Sequence, residues 1–146
     1  MFFCLNAFSQ AKLPLQFRVE KQSMSTPMTT LDDMFFMNYY YAKPINIKFD
    51  GSILNMVYDN GATFIKKNVV EVKHSTEHEN NTLVSETTLY TDKENASDTI
   101  SFVIDYNAGF VQIVLPTKNS QGEYIGYTSY KNFDKKLVKE NDLALN

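Results

Sequence analysis

Apolar and polar residues alternate along most of this chain with a period of two, which is the pattern of half-buried β-strands. Residues 13–20 carry Leu13, Leu15, Phe17 and Val19 at the odd positions, while the even positions, Arg18 among them, would face water. Residues 45–50 repeat the alternation. Further strands are predicted over residues 52–58, 62–74, 83–90, 100–106, 110–116 and 123–130.

Turn sequences separate these strands and predict hairpins. Asp50-Gly51, Asp59-Asn60-Gly61 and Asn107-Ala108-Gly109 offer the glycine that a tight turn needs at positive φ. Polar stretches at 75–81, 92–98 and 116–122 predict the other connections. A change of apolar phase near residues 66–68 predicts a bulge or a bend there, and the segment 110–116 (FVQIVLP), apolar on both faces, predicts the most buried strand.

About eight strands joined by short turns indicate an all-β or mainly β fold, an antiparallel meander over residues 10–132 as a single domain. A meander of this length curls to protect its edges, so we expect a small barrel or a two-sheet sandwich. A short helical or irregular insertion is expected near residues 22–43, capped at Thr30 or Asp32, with a ninth strand as the alternative. Its apolar side chains would cover one end of a barrel: Met34, Phe35, Met37 and Tyr41. Residues 133–146 are charged with sparse leucine, and predict a tail or a short surface helix.

Composition narrows the function classes. With 146 residues, 43% hydrophobic and 21% charged, the chain is long enough for one domain with a real core. The net charge is −3 and no stretch clusters basic residues with aromatics, which argues against nucleic acid as a partner. No apolar run approaches the roughly 18 residues of a membrane-spanning helix.

The first ten residues, MFFCLNAFSQ, predict the remnant of an export signal over residues 1–9. Ala7 and Ser9 are the small residues that a signal peptidase reads, so cleavage is expected between Ser9 and Gln10. It would release a periplasmic or extracellular protein and remove Cys4, the only cysteine. The AFSQ ending resembles the leader ends of many exported proteins of the phylum Bacteroidota. The alternative is that Phe2, Phe3 and Leu5 form an edge strand.

The predicted order of one strand, an insertion and a long antiparallel meander resembles the calycin group, meaning lipocalins and fatty-acid-binding proteins. That resemblance implies an internal apolar cavity for a hydrophobic ligand. The chain departs from the lipocalin pattern in lacking the early Gly-x-Trp, since it has no tryptophan. Arg18, its only arginine, falls on the predicted wet face and so provides no carboxylate-binding set.

One motif matches known chemistry: HSTEH, from His74 to His78, has the H-x-x-E-H spacing of inverted zinc proteases. Two histidines at that spacing share an ion on a helix, whereas on an extended chain they lie about 13 Å apart. The neighbouring residues favour a solvated hairpin tip, so no metal and no cofactor are expected. An acidic loop containing Glu94, Asn95 and Asp98 does not have EF-hand spacing and is interpreted as a polar turn rather than a calcium site.

Nine tyrosines and eleven phenylalanines are the most unusual feature of the composition. Most are expected in the core and in cross-strand pairs. Six residues are the candidate ligand-binding set: Tyr58, Tyr90, Tyr106, Gln112, Tyr124 and Tyr127. Gln112 is alternatively a hydrogen-bonded core amide.

Taken together, these residues predict an exported, non-enzymatic β-domain that binds a small apolar ligand inside or a protein partner on a tyrosine-rich face. The alternatives are a metal-dependent hydrolase using His74, Glu77 and His78, and an envelope structural or assembly protein whose sheet edge pairs with another chain.

Overall fold

The computed structural model describes residues 15–25 and 40–133, and all of its regular elements are strands. The eight strands are β1 (Leu15–Ser25), β2 (Tyr40–Phe49), β3 (Ile53–Tyr58), β4 (Thr63–Glu79), β5 (Thr82–Asp92), β6 (Thr99–Asp105), β7 (Phe110–Lys118) and β8 (Tyr124–Asn132). The predicted all-β meander is therefore confirmed. The predicted export remnant, the middle of the insertion and the charged tail lie outside the described residues.

The strands close into a barrel. Each pairs antiparallel with the next, and β1 also pairs with β8, where Gln22 lies opposite Tyr130 and Ser25 opposite Tyr127. The Asn132 amide reinforces this seam by donating a hydrogen bond to the carbonyl oxygen of Arg18 at 2.6 Å. Of the two expected architectures the chain adopts the barrel, because closure pairs both edge strands.

The two strands that flank the predicted insertion are longer than expected. Residues 22–25 continue β1 along β8, and residues 40–43 begin β2 opposite β1. The prediction of a helical or irregular segment is therefore wrong at both of its ends, where pairing with a neighbouring strand decides the conformation. Its proposed caps and lid residues other than Tyr41 lie outside the described residues.

The hairpin of β4 and β5 is also longer than predicted. β4 continues to Glu79, so the polar stretch at 75–81 is mostly strand and only the last two residues turn. Asn80 and Asn81 have φ values of 51° and 65°, as a two-residue type I′ turn requires, and asparagine tolerates that region better than most residues.

Bulges in β4 fall on either side of the predicted position. Residues 65–68 pair regularly with β3. The first bulge lies before them, where Phe64 is an extra residue without a partner position on β3. The second lies after them, where Val72 is an extra residue without a partner position on β5. Between the two bulges the odd-numbered residues Ile65 and Val69 both face the core, so the strand keeps its phase at 66–68 and the bulge predicted there is absent.

The inward faces of the strands form one apolar core. Phe49 belongs to this core, with its ring centroid 5.0 Å from that of Tyr90 and 5.4 Å from that of Phe102. The alternation predicted for β1 and β2 is confirmed, since their apolar positions are buried and Arg18 is exposed. The segment 110–115 of β7 is buried on both faces, also as predicted.

Candidate functional site

A polar cluster lies among the inward-facing residues of β4 and β5. Glu86 is 2% exposed and faces inward opposite the core residue Ile104. The hydroxyl of Tyr106 donates a hydrogen bond to its Oε2 at 2.5 Å, and Nε2 of His74 lies 3.9 Å from its Oε1. Nδ1 of His74 lies 2.8 Å from Oγ1 of Thr88. The inner face of the barrel therefore contains a carboxylate, an imidazole and a phenol within contact distance.

The bulge at Val72 is what brings His74 into this cluster. Before the bulge, the odd-numbered residues of β4, such as Val69, face the core. The extra residue reverses the phase, so that His74 pairs with Thr88 on the inner face and Val72 is left 62% exposed. A regular strand would have pointed His74 into water.

Tyr90 connects the polar cluster to the apolar core. Its ring makes an edge contact with Phe49, and its backbone position is two residues from Thr88 on the same face of β5. Burial, followed by the negative charge of Glu71, raises the pKa of its hydroxyl to about 12. The phenol consequently stays protonated at neutral pH and can act as a donor.

The six residues predicted to bind a ligand do not form one site. Tyr58, Tyr90 and Tyr106 pack on or within the core. Tyr124 is 45% exposed and donates a hydrogen bond to Asp98. Gln112 and Tyr127 alternate with core residues and so face outward, where the Gln112 amide donates to Oγ of Ser129 at 2.6 Å. Within the predicted set, therefore, only Tyr106 belongs to the inner cluster, with Tyr90 beside it.

The HSTEH motif lies in the extended part of β4. His74 faces inward, whereas Glu77 and His78 are exposed. The geometry is that of a strand, where the sequence analysis expected a hairpin tip, and it is not that of the helix on which two such histidines share an ion. Among residues 15–25 and 40–133, no group of three His, Cys, Asp or Glu side chains is arranged to hold a metal ion.

A second charged cluster links strand ends and turns, and the sequence did not reveal it. Asp98 is 4% exposed and Asp92 is 7% exposed. Nζ of Lys118 lies 3.0 Å from Asp98, and Nζ of Lys67 lies 2.9 Å from Asp92 and 3.9 Å from Asp98. Two ammonium groups thus balance two carboxylates.

This cluster gives the acidic loop a structural role. Asp98 accepts hydrogen bonds from Tyr124 and Lys118, and the Asn95 amide lies 3.5 Å from it. Its negative charge is already balanced by lysine, which opposes binding of a further cation. The stretch between β5 and β6 is a turn, as the sequence predicts.

Asp92 should make stability depend on pH in the acid range. Burial is the largest single influence on its pKa and raises it, but the hydrogen bonds from Lys67 and from backbone amides outweigh burial and leave the pKa below the ordinary 3.8. Its stabilisation is complete above the pKa of the unfolded chain and is lost as pH falls through the lower pKa of the folded state. We therefore expect the free energy of unfolding, measured in urea, to fall below about pH 4, and to fall less steeply in Asp92→Asn. Equal slopes in the two proteins would contradict this assignment.

A groove of about 440 Å³ lies on the outer face of β1, β2 and β3. Arg18 is its most strongly basic side chain, and it pairs with Asp59 at 2.7 Å and with Glu20. Asn46 donates to the same Asp59 at 2.8 Å. The hydrogen bond from Arg18, and to a smaller extent that from Asn46, lowers the pKa of Asp59. Because its arginine is held in an internal pair, the groove is a weaker candidate than the inner cluster.

The fold defines the protein as a closed, eight-stranded antiparallel β-barrel. Comparison with known proteins does not assign this barrel to a family. No family model, no curated protein and no solved structure matches the chain. In the part of the chain that the structure describes, no helix is long and apolar enough to cross a bilayer.

Proposed function

We propose that this protein is an exported, non-enzymatic binding protein that takes a small ligand with an apolar body into its barrel. The observation that supports this most is the inward-facing carboxylate of Glu86, which His74 and Tyr106 contact at the edge of an apolar core. Eight-stranded up-and-down barrels commonly hold one small ligand, lipocalins among them. The resemblance to calycins, stated above for the predicted strand order, supports the same proposal.

The cluster favours a ligand with a polar head group that donates hydrogen bonds. A carboxylate accepts them through both oxygens, and bonds to charged groups are among the stronger ones in proteins. Tyr90, Phe102 and Ile104 lie next to the cluster on the inner faces of β5 and β6 and would contact the apolar part of the ligand. A primary amine or an alcohol on an alkyl chain has both properties.

The interior is favoured over a tyrosine-rich outer face as the place of binding. The predicted tyrosines are divided between the core, the second charged cluster and the outer surface, so they offer no common face to a protein partner. Export is proposed from the residues of the leader alone, and the mass of native protein, with or without residues 1–9, would test it.

Binding of alkyl ligands to the full chain tests the proposal. Dodecylamine and dodecanol should bind more tightly than dodecanoate in isothermal titration calorimetry, because Glu86 repels a carboxylate. Glu86→Gln keeps the shape of the side chain and removes its charge, so it should weaken binding of the amine by about tenfold or more.

Glu77→Gln is the matched control. Glu77 lies three residues from His74 on β4 but is exposed, so the same substitution there should leave binding unchanged. Failure of all three alkyl compounds to bind, or an equal effect of the two substitutions, would refute the proposal.

A further inference from the structure

The groove on the outer face of β1, β2 and β3 contains a row of three polar side chains. Gln16 lies directly opposite Lys48, and Lys48 directly opposite Asn55, so the three are cross-strand neighbours and form what we call the lysine row. All three line the groove. Within residues 15–25 and 40–133, none of these side chains forms a hydrogen bond or an ion pair. The lysine row therefore offers one ammonium group and two amides to a ligand.

A second row lies two residues further along the same strands, about 7 Å away. Arg18 is opposite Asn46, and Asn46 is opposite Val57, which together form the arginine row. Arg18 is held by two carboxylates, those of Asp59 and Glu20. This part of the groove thus has two negative charges against one positive charge, whereas the lysine row is positive.

The positive charge of Lys48 is not taken up by the acid that follows it on the chain. Asp50 lies two residues beyond Lys48, and its Oδ1 accepts hydrogen bonds from the backbone N–H groups of Ser52 at 2.8 Å and Ile53 at 2.7 Å. The bond from Ile53 is the main reason why the pKa of Asp50 is lowered, and the charge of Lys48 contributes least. The ammonium group can accordingly pair with an anion from outside the chain.

We propose that the groove binds a small carboxylate that also carries several hydroxyl groups, of the kind that uronic acids represent. The carboxylate binds at the lysine row, where Lys48 donates a charge-assisted hydrogen bond and the amides of Gln16 and Asn55 donate further ones. The hydroxyls bind at the arginine row, because a hydroxyl can both donate to Asp59 and accept from Arg18. The groove volume of about 440 Å³ is in the range of small-molecule sites.

The two rows discriminate against other ligand classes. A second carboxylate at the arginine row would face Asp59 and Glu20, which disfavours dicarboxylates and acidic peptides. Neutral sugars have no charge for Lys48. No aromatic ring of the lining is available to stack on them, because Phe17 turns its side chain into the core. The ligand also differs in charge from the amine expected in the barrel interior, so the two sites can be tested separately.

Titration of the isotope-labelled full chain with galacturonate, followed by two-dimensional NMR, tests the proposal. Galacturonate should shift the backbone amide signals of residues 16–18, 46–48 and 55–57, and should bind about tenfold or more tightly than galactose. Added salt should weaken the binding of galacturonate. Glutarate and tetraglutamate should bind more weakly than galacturonate. Binding of either as tightly, no preference over galactose, or no binding of galacturonate would overturn the proposal.

Substitutions in the lysine row test which residues bind the carboxylate. Lys48→Gln removes the charge and should weaken the binding of galacturonate by about tenfold. Asn55→Asp keeps the shape of the side chain but repels a carboxylate, so it should weaken binding further. Lys73→Gln is the matched control, because Lys73 is an exposed lysine on the part of β4 that pairs with β5 and not with β3. An equal effect of the two lysine substitutions would contradict the assignment.

A measurement on the unaltered chain covers the case in which these variants fail to fold. Acetylation of exposed lysines by an amine-specific reagent, followed by peptide mass analysis, reports the accessibility of each ammonium group. Galacturonate should slow the acetylation of Lys48 and leave that of Lys73 unchanged, whereas galactose should affect neither. Equal rates at Lys48 with and without galacturonate would also overturn the proposal.

Discussion

Replacing Asp98 with alanine should lower the free energy of unfolding by about 3 kcal/mol. The carboxylate is 4% exposed, and its loss would leave Lys118 without its ion-pair partner and Tyr124 without its acceptor. Removing one member of a buried pair costs about 3–5 kcal/mol. The lower end applies because the side chains of Lys67 and Lys118 are 25% and 29% exposed and can regain water. Urea unfolding followed by circular dichroism measures the loss.

Asp59→Ala is the control for this prediction. Asp59 also forms an ion pair, with Arg18 at 2.7 Å, but its side chain is 53% exposed, and exposed pairs contribute little. The loss should therefore be much smaller than for Asp98. Similar losses at the two positions would show that the cluster around Asp98 is as hydrated as the surface and is not a structural element.

Phe49→Ala should destabilise the barrel by about 3–5 kcal/mol. Phe49 is 3% exposed, and its ring contacts those of Tyr90 and Phe102, which come from strands on the other side of the core. The substitution removes these contacts and leaves a cavity that a closed barrel cannot easily collapse, because its strands are fixed by pairing on both sides. Thermal and urea unfolding provide the measurement.

Phe64→Ala applies the same substitution at a partly exposed position. Phe64 is the extra residue of the first bulge in β4 and is 37% exposed, with its ring 5.2 Å from that of Tyr58. We expect less than half the loss found at Phe49. An equal or larger loss at Phe64 would mean that the bulge, and not the centre of the barrel, limits stability.

The strands were predictable where local sequence pattern and tertiary environment agree. Apolar and polar residues alternate in β1 and β2 because one face of each strand lies in the core and the other in water. Gly61 and Gly109, with φ values of 88° and 82°, lie in the turns as predicted. β7 was identified as the most buried strand because both of its faces are apolar, with Gln112 as the exception. The burial of Gln112 beside Val103 and Lys131, on the side of the sheet away from the core, appears only in the registers of β6, β7 and β8.

The candidate site was less predictable, because its members are assembled by contacts between distant residues. His74 was noted for its spacing to His78, but its partners are Glu86 and Thr88 on β5, and Glu86 in turn is bound by Tyr106 in the β6–β7 turn. Glu86 gave no signal within the run SETTLY, where one acidic residue among polar ones is typical of an exposed strand face. A strict alternation test on residues 83–90 would have placed Glu86 on the same face as Tyr90.

The sequence alone determined that this chain forms eight antiparallel strands in chain order and, for most of them, which face is apolar. These properties depend on the side-chain period of two and on turn residues, and both act within a few neighbouring residues. Only the tertiary structure decided the closure of β1 on β8, the bulge that turns His74 inward, and the clusters around Glu86 and Asp98. Each of these depends on residues far apart in the chain, whose contacts form only when the whole barrel offsets the entropy of bringing them together.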